Sequence, residues 1–219
     1  MLRVRPLVHT NYFHEYVALL TALGMDCVQT QDDGGWQVFD SGNGKVAVRR
    51  ACADSLPGTS VHLGFELRDA EIFIQRTLAD GTTAELAPDA GAARVTAPDG
   101  FSFLAHPSND LSLAHPQARL AVATVWRTLQ PEMANTVLAN IGAKHVRDST
   151  GGGAVFRMKN GGLVTTTAGD LTGVELGFTY NGGLAELGKK LTGVAVTVGL
   201  DGDALCVTMS DGVSLTITS

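Results

Sequence analysis

One seven-residue stretch occurs twice in the chain, and its two copies differ where chemistry would sit. The first reads Val61-His62-Leu63-Gly64-Phe65-Glu66-Leu67 and the second Val174-Glu175-Leu176-Gly177-Phe178-Thr179-Tyr180. An imidazole at His62 or a carboxylate at Glu175 can move a proton near neutral pH. Glu175 stands on an otherwise apolar strand, where a carboxylate must be paired, hydrated or protonated. It therefore meets either a ligand cation or an internal partner such as an arginine. Alternate residues of a strand share a face, which puts Glu66 with His62, and His106 with Leu104. His62 and Glu66 are four residues apart, roughly 13 Å on an extended chain, too far to clasp one ion. A site on His62 and His106 is the remaining arrangement for a metal in this region.

Other reactive patterns are missing. There is no G-x-S-x-G, no P-loop and no G-x-G-x-x-G after a strand. Gly151-Gly152-Gly153 reads as a hairpin turn, because no helix begins there to cradle a phosphate.

The elements that must position these residues follow from the punctuation of the chain. Its 219 residues include 26 glycines, spread among short β-branched runs, which predicts many strands joined by tight turns. The 44% hydrophobic content is enough for a substantial core. A strand over 2–9 leads to a helix over 12–23, capped by Asn11 and stopped by Gly24. Strands at 26–30, 36–40 and 45–50 follow. The order βαβββ repeats from residue 59, with Asp69 capping a helix over 70–79. A Ser-, Asn- and Pro-containing linker spans 108–118, and the plan restarts at 119 with Pro131 in the first turn of its helix. Leu23-Gly24 matches Ile141-Gly142, Asn43-Gly44 matches Asn160-Gly161, and Asp99-Gly100 matches Asp211-Gly212. The matches keep their order, which points to an internal duplication.

Four successive βαβββ units, with Leu23-Gly24-Met25 ending the first helix and Pro98-Asp99-Gly100 before a last strand, resemble the vicinal oxygen chelate superfamily. Glyoxalase I, extradiol dioxygenases and bleomycin-resistance proteins belong to that group. The resemblance implies an α+β fold of four βαβββ modules. They would form two tandem glyoxalase-like domains, 1–107 and 119–219, with curved, cup-shaped mixed sheets. By analogy with glyoxalase I, module one would pair with four, and two with three.

Metal-dependent members of the family take His, Glu or Gln ligands from the first and last strands of each module. Carried over, these positions fall on Val4, His62, Val122 and Glu175, and on Leu104, Thr216 and the neighbourhoods of Val48 and Thr165. Each cup keeps one possible ligand, so no family-type metal and no cofactor is expected. Parity puts Thr124 and Trp126 on the Val122 face, where Trp126 would be a stacking platform for a planar or cationic ligand. Trp36 is a candidate pocket lip. His9, His14 and His145 fall off the cup faces, and His115 sits in the linker.

The expectation is a metal-independent small-molecule-binding protein of the glyoxalase or bleomycin-resistance type, holding a planar or cationic ligand in an inter-module cup. His62, Glu66, His106, Thr124, Trp126 and Glu175 would line it. The alternative is a glyoxalase-, lyase- or isomerase-like enzyme with Glu175 or His62 as general acid/base. A third reading is an interaction module with collapsed cups. A net charge of -6 argues against nucleic acid as a partner. No apolar run approaches the length of a membrane span. Cys27, Cys52 and Cys206 form no C-x-x-C and read as reduced, partly buried thiols. Together with the lack of a secretory signal at Met1-Leu2-Arg3-Val4-Arg5, they predict a cytoplasmic protein, monomeric or homodimeric.

Overall fold

The computed structural model describes residues 1–52, 58–88, 91–195 and 197–219. The first module comprises β1 (Leu2–Val4), β2 (Leu7–Thr10), α1 (Phe13–Ala22), β3 (Asp26–Thr30), β4 (Trp36–Asp40) and β5 (Lys45–Arg50). The second comprises β6 (Thr59–His62), β7 (Gly64–Leu67), α2 (Ala70–Ala79), β8 (Thr83–Leu86), β9 (Ala93–Thr96) and β10 (Ser102–Pro107). The third has β11 (Leu120–Thr128), α3 (Pro131–Asn140), β12 (Lys144–Asp148), β13 (Ala154–Arg157) and β14 (Leu163–Ala168). The fourth has β15 (Gly173–Glu175), β16 (Gly177–Tyr180), α4 (Leu184–Leu191), β17 (Thr197–Asp201), β18 (Ala204–Thr208) and β19 (Ser214–Thr218).

Local chemistry sets these boundaries. Asp69 caps α2 by accepting from the Ile72 N–H at 3.0 Å. Pro131 opens α3, where its missing N–H removes no helical bond. Gly24 and Gly142 close α1 and α3 at φ of 84° and 88°, a conformation that favours glycine. Asn11 does not cap α1. The N-cap is Tyr12, one residue beyond the expected cap, and no side chain caps it; the Thr10 hydroxyl accepts from the Tyr12 N–H at 2.9 Å just before the helix.

The modules pair differently from the expectation. β2 runs antiparallel to β6, and β1 antiparallel to β7, so modules one and two share one cup. β11 pairs with β15 and β16, so modules three and four share the other. The first strands of consecutive modules thus satisfy one another edge to edge. The pairing of one with four and two with three occurs on the helix-covered faces instead. Tyr16 of α1 donates to Asp211 at 3.0 Å, and Thr59 also bonds to Asp211. Trp126 of β11 packs on Phe101 and Phe103, with ring centroids 4.8 and 6.1 Å away.

The two halves also exchange their matching turns. Asn43 accepts from the Val122 N–H at 3.0 Å, and Gly161 accepts from the Val4 N–H at 3.0 Å. The turn of each half therefore docks on the first strand of the other. No described helix is long and apolar enough to cross a membrane. All three cysteines are free; Cys27 and Cys52 are exposed rather than partly buried, and Cys206 is half-buried.

Candidate functional site: two unequal cups

The repeated stretch lies at the base of both cups, and its glycine explains why it recurs. A Cβ on Gly64 would stand 2.6 Å from the Arg5 carbonyl oxygen. A Cβ on Gly177 would stand 2.9 Å from the carbonyl oxygens of both Ala123 and Thr216. Only glycine lets the two first strands of a cup approach so closely. The preceding leucines, Leu63 and Leu176, are buried on the helix side, which fixes the neighbouring residues toward the cup.

In the first cup, cross-strand partners share a face. Leu7 pairs with His62, His9 with Ser60, Arg3 with Glu66, and Glu66 with His106. His62, Glu66 and His106 thus line this cup, and so does His9, which the sequence reading had set aside. The floor is filled by charge. Arg3, Lys45 and Glu66 are each at most 5% exposed. Arg3 donates to Glu66 at 3.1 Å and to Asp110 at 2.7 Å, while Lys45 reaches Asp110 at 2.8 Å and Glu66 at 3.3 Å. Arg3 also donates to the Ser112 carbonyl and hydroxyl. The 108–118 segment is therefore a plug on this end of the cup as well as a connection.

Above the floor, the Arg5 guanidinium lies 5.9 Å from the Trp36 ring centroid, within cation–π range. Burial pushes the His106 imidazole down to about 4, with help from the Arg5 charge. Burial, and then His9, also lowers His62. The Lys45 ammonium, with Ser112 and Arg3, holds the Asp110 carboxyl well below the usual carboxylate range. This cup is a packed ionic assembly with two histidines that favour their neutral form.

The second cup is open. A cavity of about 280 Å³ is lined by Ala123, Val125, Leu163, Thr165, Glu175, Gly177, Ser214 and Thr216, among others. Glu175 stands beside Val125 in register and is ion-paired with Arg127 through a short contact. Both partners are about half exposed.

Thr124 and Trp126 are in neither cup. Both are 0% exposed on the opposite face of β11, so the assignment by parity from Val122 is corrected by one residue. The reason is size. The face under α3 takes Leu120, Val122, Thr124 and Trp126, whereas the cup face takes Ala121, Ala123, Val125 and Arg127. The same shift moves Val4 to the core and Arg3 and Arg5 to the cup. Trp126 consequently offers no stacking platform, and it shares no cup with His62. Arg3, Arg5, Lys45 and Asp110 were missed, as were Arg127 and Ser214. The signal was present in Leu2-Arg3-Val4-Arg5, whose apolar alternates mark the helix side.

The cup-facing residues of the second half at the family's ligand positions are Ala123 or Val125, Glu175, Thr165 and Thr216. One carboxylate among methyl groups and hydroxyls is not the donor set of a divalent metal centre. In the first half the position on the first strand carries Arg5, a fixed cation. Among the described residues, no three His, Cys, Asp or Glu side chains converge on a point. The residues present do not fit the family's metal.

No protein-family model and no curated protein sequence matches the chain. Solved structures do. The chain is similar to homoprotocatechuate 2,3-dioxygenase of Brevibacterium fuscum, at 14% identity and TM-score 0.67, covering 99% of this chain and 70% of that one. It is similar to a 2,3-dioxygenase of a Pseudomonas species, at 14% identity and TM-score 0.68, covering 99% and 91%. The homoprotocatechuate 2,3-dioxygenase of Arthrobacter globiformis aligns at 13% identity and TM-score 0.65, covering 99% and 78%. Identities this low speak to fold alone: the chain carries the two-domain, vicinal-oxygen-chelate type of fold found in the extradiol dioxygenases.

Proposed function

We propose that the protein is a metal-independent small-molecule-binding member of this fold, with its ligand in the second cup. The observation that carries this reading is the asymmetry of the cups. The first is filled by Arg3, Lys45, Glu66 and Asp110, whereas the second keeps a 280 Å³ cavity. That volume lies near the lower end of the roughly 300–1,000 Å³ range of ligand pockets, so the ligand is small. The wall supplies hydroxyls from Thr165, Thr179, Ser214 and Thr216 between the methyl groups of Ala123, Val125 and Leu163. Glu175 adds an acceptor for a cationic or N–H-bearing group, which would exchange with Arg127. With Trp126 in the core, the planar-ligand expectation loses its support and the cationic one remains.

The second reading is an enzyme with Glu175 as general base, favoured by the carboxylate lining an open cavity. His62 belongs to the other cup and cannot act with it. An NMR titration with a library of small amines and hydroxylated amides separates the readings. Binding predicts saturable amide shifts at Ala123, Thr165, Glu175 and Thr216 that weaken in Glu175→Gln, with the compound recovered unchanged. Chemical conversion lost in Glu175→Gln would establish the enzyme instead, and shifts confined to the first cup would overturn both.

A further inference from the structure

A larger cavity, about 650 Å³, lies between the halves, against α2, the end of α3 and the β13–β14 turn. Its polar lining is distinctive for a protein of net charge -6. Arg68 reaches it from the β7–α2 connection, Arg76 from α2 and Lys159 from the β13–β14 turn. None of the three has a carboxylate partner within 4.0 Å among the described residues. Their charges converge on one region. The Met1 amine nearby has its pKa lowered by burial first and then by Lys159, Arg76 and Arg68 together. Two carboxylates share the lining, Asp69 and Asp80, but Asp69 is committed to capping α2.

A second, independent feature is Thr77. It lines the same cavity, is 1% exposed, and its Oγ1 has no hydrogen-bond partner. A buried hydroxyl left without a partner is destabilising. Ile72 and Phe73 supply an apolar wall beside these groups. An anionic head with several acceptor oxygens satisfies the three cations at once, and an apolar body covers Ile72 and Phe73.

We infer that the cleft between the halves is a binding site for a small anionic molecule bearing a phosphate or carboxylate head on an apolar body. Arg68, Arg76 and Lys159 hold the head. The site is remote from the second cup and contains none of its lining residues. Its occupant bridges the two halves, because Lys159 and Arg76 belong to different ones, so binding there stiffens the arrangement of the domains.

The test is an NMR titration of the intact chain at constant ionic strength, with phenyl phosphate and benzoate as probes and inorganic phosphate as a third arm. Saturable shifts at Arg68, Ile72, Thr77 and Lys159 are expected. Removing one cation, in Arg76→Gln or Lys159→Gln, weakens binding roughly tenfold, with the melting temperature of the free protein unchanged. Phenyl phosphate binding above benzoate identifies a phosphate head, and the reverse a carboxylate. Inorganic phosphate matching phenyl phosphate would remove the apolar body from the proposal. Shifts that do not saturate, or that are the same in both variants, would overturn it.

Discussion

Glu66 holds three cations at once, and its removal exposes what a buried charge requires. Arg3, Arg5 and Lys45 all face it, at 3.1, 3.9 and 3.3 Å. Glu66→Ala leaves buried cations without their central anion and is expected to destabilise the protein by about 3–5 kcal/mol, measured by urea unfolding. Glu175→Gln breaks only the half-exposed pair with Arg127, so the same measurement should show a loss of at most about 1 kcal/mol. His106 sets a pH dependence. Its pKa is about 4 in the native state against 6.5 for an ordinary histidine. Between those values the unfolded chain binds a proton that the folded chain does not, so stability falls as pH falls through that window. With the ring partly exposed, the loss is about 1–2 kcal/mol, and His106→Gln should flatten the curve there. Asp110, held below the usual carboxylate range, adds stability that is lost only at still lower pH.

At the scale of elements, the crossing of the first strands controls both cups. Gly177→Ala would push a methyl group against the Ala123 and Thr216 carbonyls at 2.9 Å. The expected cost is about 2–4 kcal/mol in thermal or urea unfolding, and Gly64→Ala should behave alike. The repeat was legible as an organiser of the fold, because turn glycines, caps and β-branched runs are local signals. Helix α2 over Ala70–Ala79 and strand β5 over Lys45–Arg50 fall where the pattern put them. Face assignment was less secure. Period-two alternation says which residues share a face, but not which face is covered by a helix. For β6 and β7 the face of His62 came from the resemblance and that of Glu66 from parity with it, and the structure puts both in the first cup. For β11 the choice between Val122, Thr124, Trp126 and Ala121, Ala123, Val125 turned on size, since the helix side takes the large groups and the cup takes the small ones. Long-range contacts such as Arg3 with Asp110 and Ser112 carry no local sequence signal at all.

For the whole molecule, the two halves build two cups with different fates. The halves lock together through exchanged turns, the Tyr16–Asp211 contact and the Trp126 cluster. Trp126→Ala is expected to cost about 3–5 kcal/mol in unfolding while leaving ligand affinity in the second cup unchanged, which separates core from site. The most direct test of the account is ligand binding at the second cup with and without metal. The titration with the strongest-binding amine or amide is run in EDTA and repeated under anaerobic conditions with added Fe(II) or Mn(II). The account predicts the same saturable shifts around Glu175, Thr165 and Thr216 in both, with equal affinity. A cup that is silent in EDTA and binds only when the metal is supplied would contradict it.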